Sequence, residues 1–558
     1  MVYIVDAHIR GSTVQLVRHA LKEETESRSR LQGNLEGFKG SAAILSHKMH
    51  VFYTVLRKVI GKRLSRYDDS DLEDLILFSD TLLAEGHGSI EVRDPPTVAQ
   101  ERIIKSLIKV IFHQMAISKS DDVDQGQANL LLSLFISKIY CDKFVETSTV
   151  IEHRGNLNDS VLAVMDPSEN TNRFREKLVP LNKKFNINLF CCLEEVPNFF
   201  YESKLLSEEF DKIDLDGEED SEGDTLGTNL IHPGILGHLP LSRQTLSQTR
   251  ITLLPSRELE SLWESLYFED RIKQRMYSYA TIALKIATFT NAANENGSSA
   301  FANNKLLLVQ GPPGTGKTTI CKALCQKLSI RKDFSQNIDP ISNDYKGIVI
   351  EISCSRIFSR WFGESSKNLA TIFADVENLL KSQQDDRSFV CLLIDEVEAI
   401  AFSRNSLMNK NESTDGVRVV STLLTQLDLL KKYNNFLVLA TSNLLESLDP
   451  AFVDRADGVF YIGNPSKVGI AKILASSVGD LISKKVILCE ESKSTMRNPI
   501  YNEVLQSIAE RCSTVGVSGR MLRKLPLICL SEHFQELPVR LDNFLLALAH
   551  SVVNIQSA

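Results

Sequence analysis

An α/β architecture with a parallel sheet, followed by a small helical domain and preceded by an α+β domain, is what this 558-residue sequence predicts. Three observations carry it. From about Ile251 to Asn464, short and wholly apolar runs alternate with helical patterns, as buried parallel strands and their crossover helices do. Pro465 then breaks the chain, and mainly helical patterns follow. Within the alternating region, the apolar run Leu306–Gln310 leads into Gly311-Pro-Pro-Gly-Thr-Gly-Lys-Thr318 and out into a helix predicted from Lys317 to about Leu328. That is the strand–loop–helix context of a phosphate-binding loop.

The elements can be justified in chain order. Val5, Ala7 and Ile9 alternate with polar residues, which predicts an N-terminal strand, and a capped helix follows from Ser12 to about Lys22. Between Ile44 and about Ile136, apolar residues recur at helical spacing, as at Ile103, Ile104, Leu107, Ile108 and Ile111. Asn186–Leu193 reads as a strand. Asp214 to Asp224 carries acids and no base, with too little apolar surface to offset the entropy of ordering it. We read it as part of an acidic linker at about 211–228 within an N-terminal domain of residues 1–240, a functional acidic tail being the other reading. A large domain of 250–464 and a small helical domain of 465–558 follow, with helices starting near Lys467, Asn502, Ser518 and Leu541.

Composition narrows the function. A net charge of −8 argues against non-specific nucleic-acid binding by the whole surface. The ten cysteines form no C-x-x-C pair, and Cys321 and Cys325, one turn apart, read as packing; the expectation is a reduced intracellular protein. No apolar run approaches the roughly 18 residues of a membrane span, and no secretory leader is expected. No histidine lies between His238 and His533, so histidine chemistry is excluded there. A basic region, Lys39, Lys48, Arg57, Lys58, Lys62, Arg63 and Arg66 with Phe52 and Tyr53, fits a solvated helix face better than a nucleic-acid motif. His47 and His50 share a helix face without a third ligand nearby and are read as surface or satisfied histidines.

The chemistry lies in the alternating region. Gly311, Pro312, Pro313, Gly314, Thr315, Gly316, Lys317, Thr318 and Thr319 would bind nucleotide: glycines turn backbone N–H groups inward, Lys317 reaches the β and γ phosphates, and Thr318 binds Mg²⁺. The buried run Phe389–Ile394 ends in Asp395-Glu396. Asp395 would hold Mg²⁺ with Thr318, and Glu396 would polarise the attacking water. Phe436–Thr441 is a further buried run, after which the Asn443 amide can orient that water. Arg455 is placed to reach a neighbouring subunit's nucleotide as a trans-acting finger; the other reading is a surface arginine paired with Asp454 or Asp457. Arg520 would return over the phosphates of its own subunit. Trp361 and Phe362, followed by Gly363, are costly to expose on a loop. They pack in the core or line a central pore that grips a polypeptide.

These residues together carry a resemblance. Gly311–Thr318, Trp361–Ser365, Asp395-Glu396, Arg418-Val-Val420 with Leu423-Leu-Thr425 and Asp428, and Asn443 are similar to the AAA+ ATPase fold. Leu254-Pro255 with Leu259 and Leu262-Trp263-Glu-Ser-Leu266, Cys321-Lys-Ala-Leu with Gln326-Lys-Leu328, Ala451–Asp457, and Ser518-Gly-Arg520 with Leu522–Pro526 resemble the pachytene checkpoint AAA+ ATPase family, from about Leu253 to Pro526. Val5–Ser12 is similar more weakly. The resemblance implies an AAA+ large domain and helical small domain, ATP and Mg²⁺, and a homohexamer. It further implies partial unfolding of HORMA-domain proteins through the central pore, with an N-terminal domain that recognises the substrate or an adaptor. Such a protein would act in meiotic chromosome-axis, recombination and checkpoint control, in the nucleus, associated with chromosomes indirectly and with no membrane. An ATP-switched chromatin scaffold that recruits checkpoint proteins is the alternative. The residues before about Pro240 exceed that family's short N-terminal domain, notably over about Ile44 to Ser148.

Overall fold

The computed structural model describes residues 2–31, 37–68, 72, 76–78, 97–99, 101–106, 125–144, 184–195, 239–268, 271–293, 305–331, 340, 345–354, 364–383, 388–402, 414–488 and 499–555. The chain separates into two compact units, one mainly Met1–Cys191 and the other comprising Cys192–Glu194 and most of the chain from Asn198 onward. The acidic run from Asp214 to Asp224 lies outside the described residues, as does part of the segment from Ile44 to Ser148.

The first unit contains strand β1 (Val2–Ile9), helices α1 (Gly11–Leu31) and α2 (Gly37–Leu64), strand β2 (Ile76–Phe78), helix α3 (Gln125–Phe135), and strands β3 (Ile136–Phe144) and β4 (Lys184–Phe190). The sheet order is β2-β3-β1-β4, with β3 antiparallel to β1 and β2 and β4 parallel to β1. The alternation of Val5, Ala7 and Ile9 does not mark a half-exposed strand. β1 is interior, and Asp6 and His8 are buried with their apolar neighbours. Asp6 accepts from Asn188 Nδ2 at 3.1 Å, and His8 stacks on Phe190 with ring centroids 5.0 Å apart. Helix α1 runs past the predicted Lys22 to Leu31 because no glycine or proline interrupts it before Gly33.

The basic helix face is part of the unit's framework. Phe52 and Tyr53 of α2 point into the core, and Phe52 meets Phe135 edge-on at 5.0 Å. Arg57 Nε donates to Ile187 O at 3.2 Å, and the buried Arg63 lies 6.0 Å from the centre of the Tyr67 ring. Lys58, Lys62 and Arg66 are exposed, as are His47 and His50.

The second unit opens with helix α4 (Arg243–Gln248) and strand β5 (Thr249–Leu254), followed by α5 (Ile272–Ala293), β6 (Leu306–Gln310) and α6 (Lys317–Arg331). Next come β7 (Gly347–Ser353), α7 (Glu364–Ser382), β8 (Phe389–Asp395), α8 (Thr414–Leu430), β9 (Phe436–Ser442), the short α9 (Pro450–Val453) and β10 (Gly458–Tyr461). The sheet order is β10-β6-β9-β8-β7-β5, parallel from β10 to β7. Strands β8 and β9 are interior and buried almost throughout, which is why they read as unbroken apolar runs. The edge strand β5 departs from the predicted parallel pattern: it is antiparallel to β7, and its exposed Arg250 and half-buried Thr252 face away from the core.

Helices α10 (Lys467–Ser483), α11 (Pro499–Val515), α12 (Gly519–His533) and α13 (Leu541–Ile555) follow, with a two-residue parallel pair, β11 (Ile487–Leu488) and β12 (Val539–Arg540). Ser466 after Pro465 caps α10 by accepting from Gly469 N, and Ser518 caps α12 by accepting from Met521 N. The four helices share a core that includes Ile470, Leu474, Cys512, Leu522 and Phe544. Among the described residues no helix is long and apolar enough to cross a membrane.

Candidate functional site

The sheet order determines where the chemistry gathers. Strands β6, β9 and β8 are neighbours and parallel, so their C-terminal ends open on one side of the sheet. The loop after β6 holds three glycines at positive φ: Gly311 at 151°, Gly314 at 79° and Gly316 at 99°. A Cβ on Gly311 would lie 1.9 Å from Ile462 O, so close approach as well as backbone angle requires glycine there. Helix α6 starts at Lys317, adding its N-terminal dipole to the cradle. This arrangement of N–H groups fits a polyphosphate.

Lys317 lies folded against its own loop. Its Nζ donates to Gly311 O at 2.9 Å, Pro312 O at 2.8 Å and Asn443 Oδ1 at 2.7 Å. Burial lowers the lysine pKa, against the opposing pull of Glu398, Asp395 and Glu396. Its partners are neutral oxygens that a phosphate can replace.

The carboxylates come from the end of β8. Asp395 Oδ1 accepts from Thr318 Oγ1 at 2.7 Å and also from Thr441 Oγ1. These hard oxygen groups suit Mg²⁺, which prefers one or two protein oxygens supplemented by phosphate and water. Glu396 sits in the left-handed region at φ 54° and ψ 50°, and its backbone N–H donates to Thr441 Oγ1 at 3.1 Å. Its side chain is exposed beside the cleft. Cys354 Sγ donates to Asp395 O at 3.1 Å. Burial and then the Asp395 charge push this thiol up to about 12, so it is no nucleophile at neutral pH. Burial likewise raises Cys321 and Cys391 well above the usual thiol range.

The resulting cleft has a volume of about 360 Å³, lined by Pro313–Thr319, Asp395, Glu396, Thr441 and Asn443 from the sheet side. The C-terminal helices close it: Arg520 lines the wall, and its backbone N–H donates to Gly314 O at 3.0 Å. Arg523 donates to Ser265 O and Oγ at 3.3 and 3.1 Å. Tyr267, Phe268, Pro465 and Ile473 add apolar and aromatic surface.

The structure therefore brings Gly311 through Thr319, Asp395, Glu396, Asn443 and Arg520 together, and sets Arg455 apart. Arg455 forks onto Asp428, a partner the sequence reading did not consider: Nη2 to Oδ2 at 2.8 Å and Nε to Oδ1 at 3.2 Å, with Nη1 on Ala451 O at 2.8 Å. The Arg455 guanidinium holds the Asp428 carboxyl down to about 2. Trp361, Phe362 and Gly363 lie outside the described residues. Glu398, Thr441, Cys354, Arg523 and the Tyr267-Phe268 wall were not singled out from the sequence. Glu398, three residues past Asp395, and Arg523, inside the Leu522–Pro526 pattern, were within reach of a local reading.

Comparison with known proteins agrees with this geometry. Residues 307–464 match the ATPase family associated with various cellular activities (AAA), and residues 490–556 match the TRIP13-like AAA+ ATPase lid C-terminal domain. Pachytene checkpoint protein 2 of Saccharomyces cerevisiae is 48% identical over 571 residues, covering 100% of both chains. The Xenopus tropicalis homologue is 36% identical over 309 residues, which is 54% of this chain and 68% of that protein. The fold also resembles the solved structure of C. elegans PCH-2, with a TM-score of 0.50 and 23% identity over 84% of this chain and 98% of that one.

Proposed function

This chain belongs to the pachytene checkpoint protein 2 family of AAA ATPases and is an ATP hydrolase; from that premise we propose that it works as a homohexamer that remodels HORMA-domain proteins. ATP occupies the cleft beneath the loop Gly311–Thr319. Thr318 and Asp395 would hold Mg²⁺ there, and the ion would supply charge neutralisation to the phosphates. Lys317 exchanges its loop carbonyls for phosphate oxygens, and Glu396 and Asn443 set the attacking water. Arg455 of the neighbouring subunit completes the site, and Arg520 couples the phosphates to the C-terminal helices. Catalysis of this kind is positioning and electrostatic stabilisation, with no covalent intermediate.

One observation carries the hydrolytic part of the reading. Thr318, Asp395 and Thr441 form one hydrogen-bonded set and Lys317 and Asn443 another, side by side at the mouths of three adjacent parallel strands. The contact of Arg520 N with Gly314 O supports coupling between nucleotide and the C-terminal helices. Remodelling rests on the family relationship and on the paired aromatics Trp361 and Phe362, which would grip a threaded polypeptide. Action on chromosome-axis and checkpoint substrates in the nucleus, directly or through an adaptor, is proposed on the same relationship.

A substrate trap tests this function. The Glu396→Gln protein, recovered from its native cells with ATP, should retain a HORMA-domain protein identified by mass spectrometry. A further Trp361→Ala substitution should spare nucleotide binding and lose the captured substrate. Capture of chromatin scaffolds alone, independent of Trp361, would replace remodelling with an ATP-switched scaffold.

A further inference from the structure

Glu398 is a carboxylate beside the cleft that none of the steps above uses. It lies on the tight turn Val397–Ala399, directly after β8. The left-handed Glu396 reverses the chain, and Ala399 N and Ile400 N close the turn onto Glu396 O and Val397 O at 2.9 and 3.0 Å. The turn carries Glu398 back over the end of β9. There its Oε1 accepts two hydrogen bonds from one residue: Asn443 N at 3.1 Å and Asn443 Nδ2 at 3.0 Å. Its Oε2 is buried with no hydrogen-bond partner among the described residues.

The chemistry of the neighbours determines which way the amide points. A carboxylate only accepts hydrogen bonds, so the amide end beside Glu398 must be the donor, Nδ2. A lysine ammonium only donates, so the end beside Lys317 must be the acceptor, Oδ1, and these atoms are 2.7 Å apart. We propose that Glu398 is the positioning residue for Asn443, fixing its amide so that an acceptor rather than a donor faces the phosphates. An acceptor there takes a hydrogen from the attacking water and leaves the water's lone pair free for phosphorus. A turned amide would set Nδ2 against the Lys317 ammonium, donor against donor, and would hold the water by its lone pair. One oxygen suffices to hold both N–H groups because it carries two lone pairs. This inference rests on the reading of the cleft as the site of ATP hydrolysis and of Asn443 as the group that orients water.

The test is a double-mutant cycle on the full-length protein, reading kcat and KM for ATP and the affinity for ADP. Asn443→Ala should lower kcat by about 10². Glu398→Ala should lower kcat by roughly 10- to 100-fold, with ADP affinity within about threefold of wild type. Glu398→Gln, whose side-chain oxygen can accept the same two bonds, should recover most of that loss. The double variant should be no slower than Asn443→Ala alone, because both changes remove one function. If alanine at 398 prevents folding, Glu398→Met against Glu398→Gln makes the same comparison at constant length. Losses that multiply in the double variant would overturn the proposal. So would a wild-type kcat for Glu398→Ala beside an impaired Asn443→Ala. A wild-type kcat for Asn443→Ala itself would instead remove the water-orienting role of Asn443, and the proposal with it.

Discussion

Lys317 and Arg455 are two cations of one ATPase unit, held in opposite ways. Lys317 lies in the cleft on carbonyl and amide oxygens, and its burial works against its charge. Arg455 is held in a two-point fork on its own chain's Asp428, which favours its charged form. Neutral partners are readily exchanged for phosphate, so Lys317 is poised for a ligand bound by its own subunit. A fork on a carboxylate holds the guanidinium in one place until that pair is exchanged for another anion. Under the proposed function, the two residues act at different stages, Lys317 in binding and Arg455 in turnover.

Substitutions can break this contrast, the largest effect first. Lys317→Ala should abolish nucleotide binding, measured by calorimetry with ADP; retained affinity would show that the loop N–H groups suffice. Glu396→Gln should bind ATP and turn over at least about 10³ slower in a steady-state assay. Normal turnover would remove Glu396 from water activation. Arg455→Ala should leave ADP affinity within about threefold while kcat falls by about 10³ or more. A loss of affinity with unchanged kcat would place Arg455 among the binding groups instead.

The smallest effect concerns the fork itself. Asp428 has a folded pKa of about 2 against an ordinary value of 3.8, so its contribution to stability is present above about pH 4 and lost as pH falls towards 2. The pair is solvent-screened, with Asp428 39% exposed, so the contribution is at most about 1 kcal/mol. Unfolding of Asp428→Asn and wild type should differ by a constant amount above pH 4 and converge below it. A difference that persists unchanged at pH 2 would mean that packing, not charge, is what Asp428 supplies.

The fold was legible wherever a local pattern carries it. The runs of β6, β8 and β9 declare buried parallel strands, the glycines of 311–316 declare a phosphate cradle, and Pro465 marks the start of the helical region. What escaped depends on distant segments meeting. Asp6 and His8 look like the outer face of a strand until β3 and β4 flank it. Nothing local to β5 shows that it runs antiparallel to β7. The site followed the same rule: Asp395 and Asn443 stand at strand ends, where chemistry is expected, but the bond from Asn443 to Glu398 joins two loops. Arg523 reaches Ser265 across 258 positions of sequence. Asp428 belonged to the family-like pattern without a role until Arg455 was found on it.

The central claim, that each site draws Glu396 from one subunit and Arg455 from the next, is tested most directly by mixing two inactive proteins. Arg455→Ala and Glu396→Gln should each hydrolyse ATP poorly alone. Mixed in one assembly, some sites regain Glu396 from the first protein and Arg455 from the second, and hydrolysis should recover in proportion to mixing. If the mixture never exceeds the sum of its parts while co-assembly is demonstrated, Arg455 does not act in trans and the account fails.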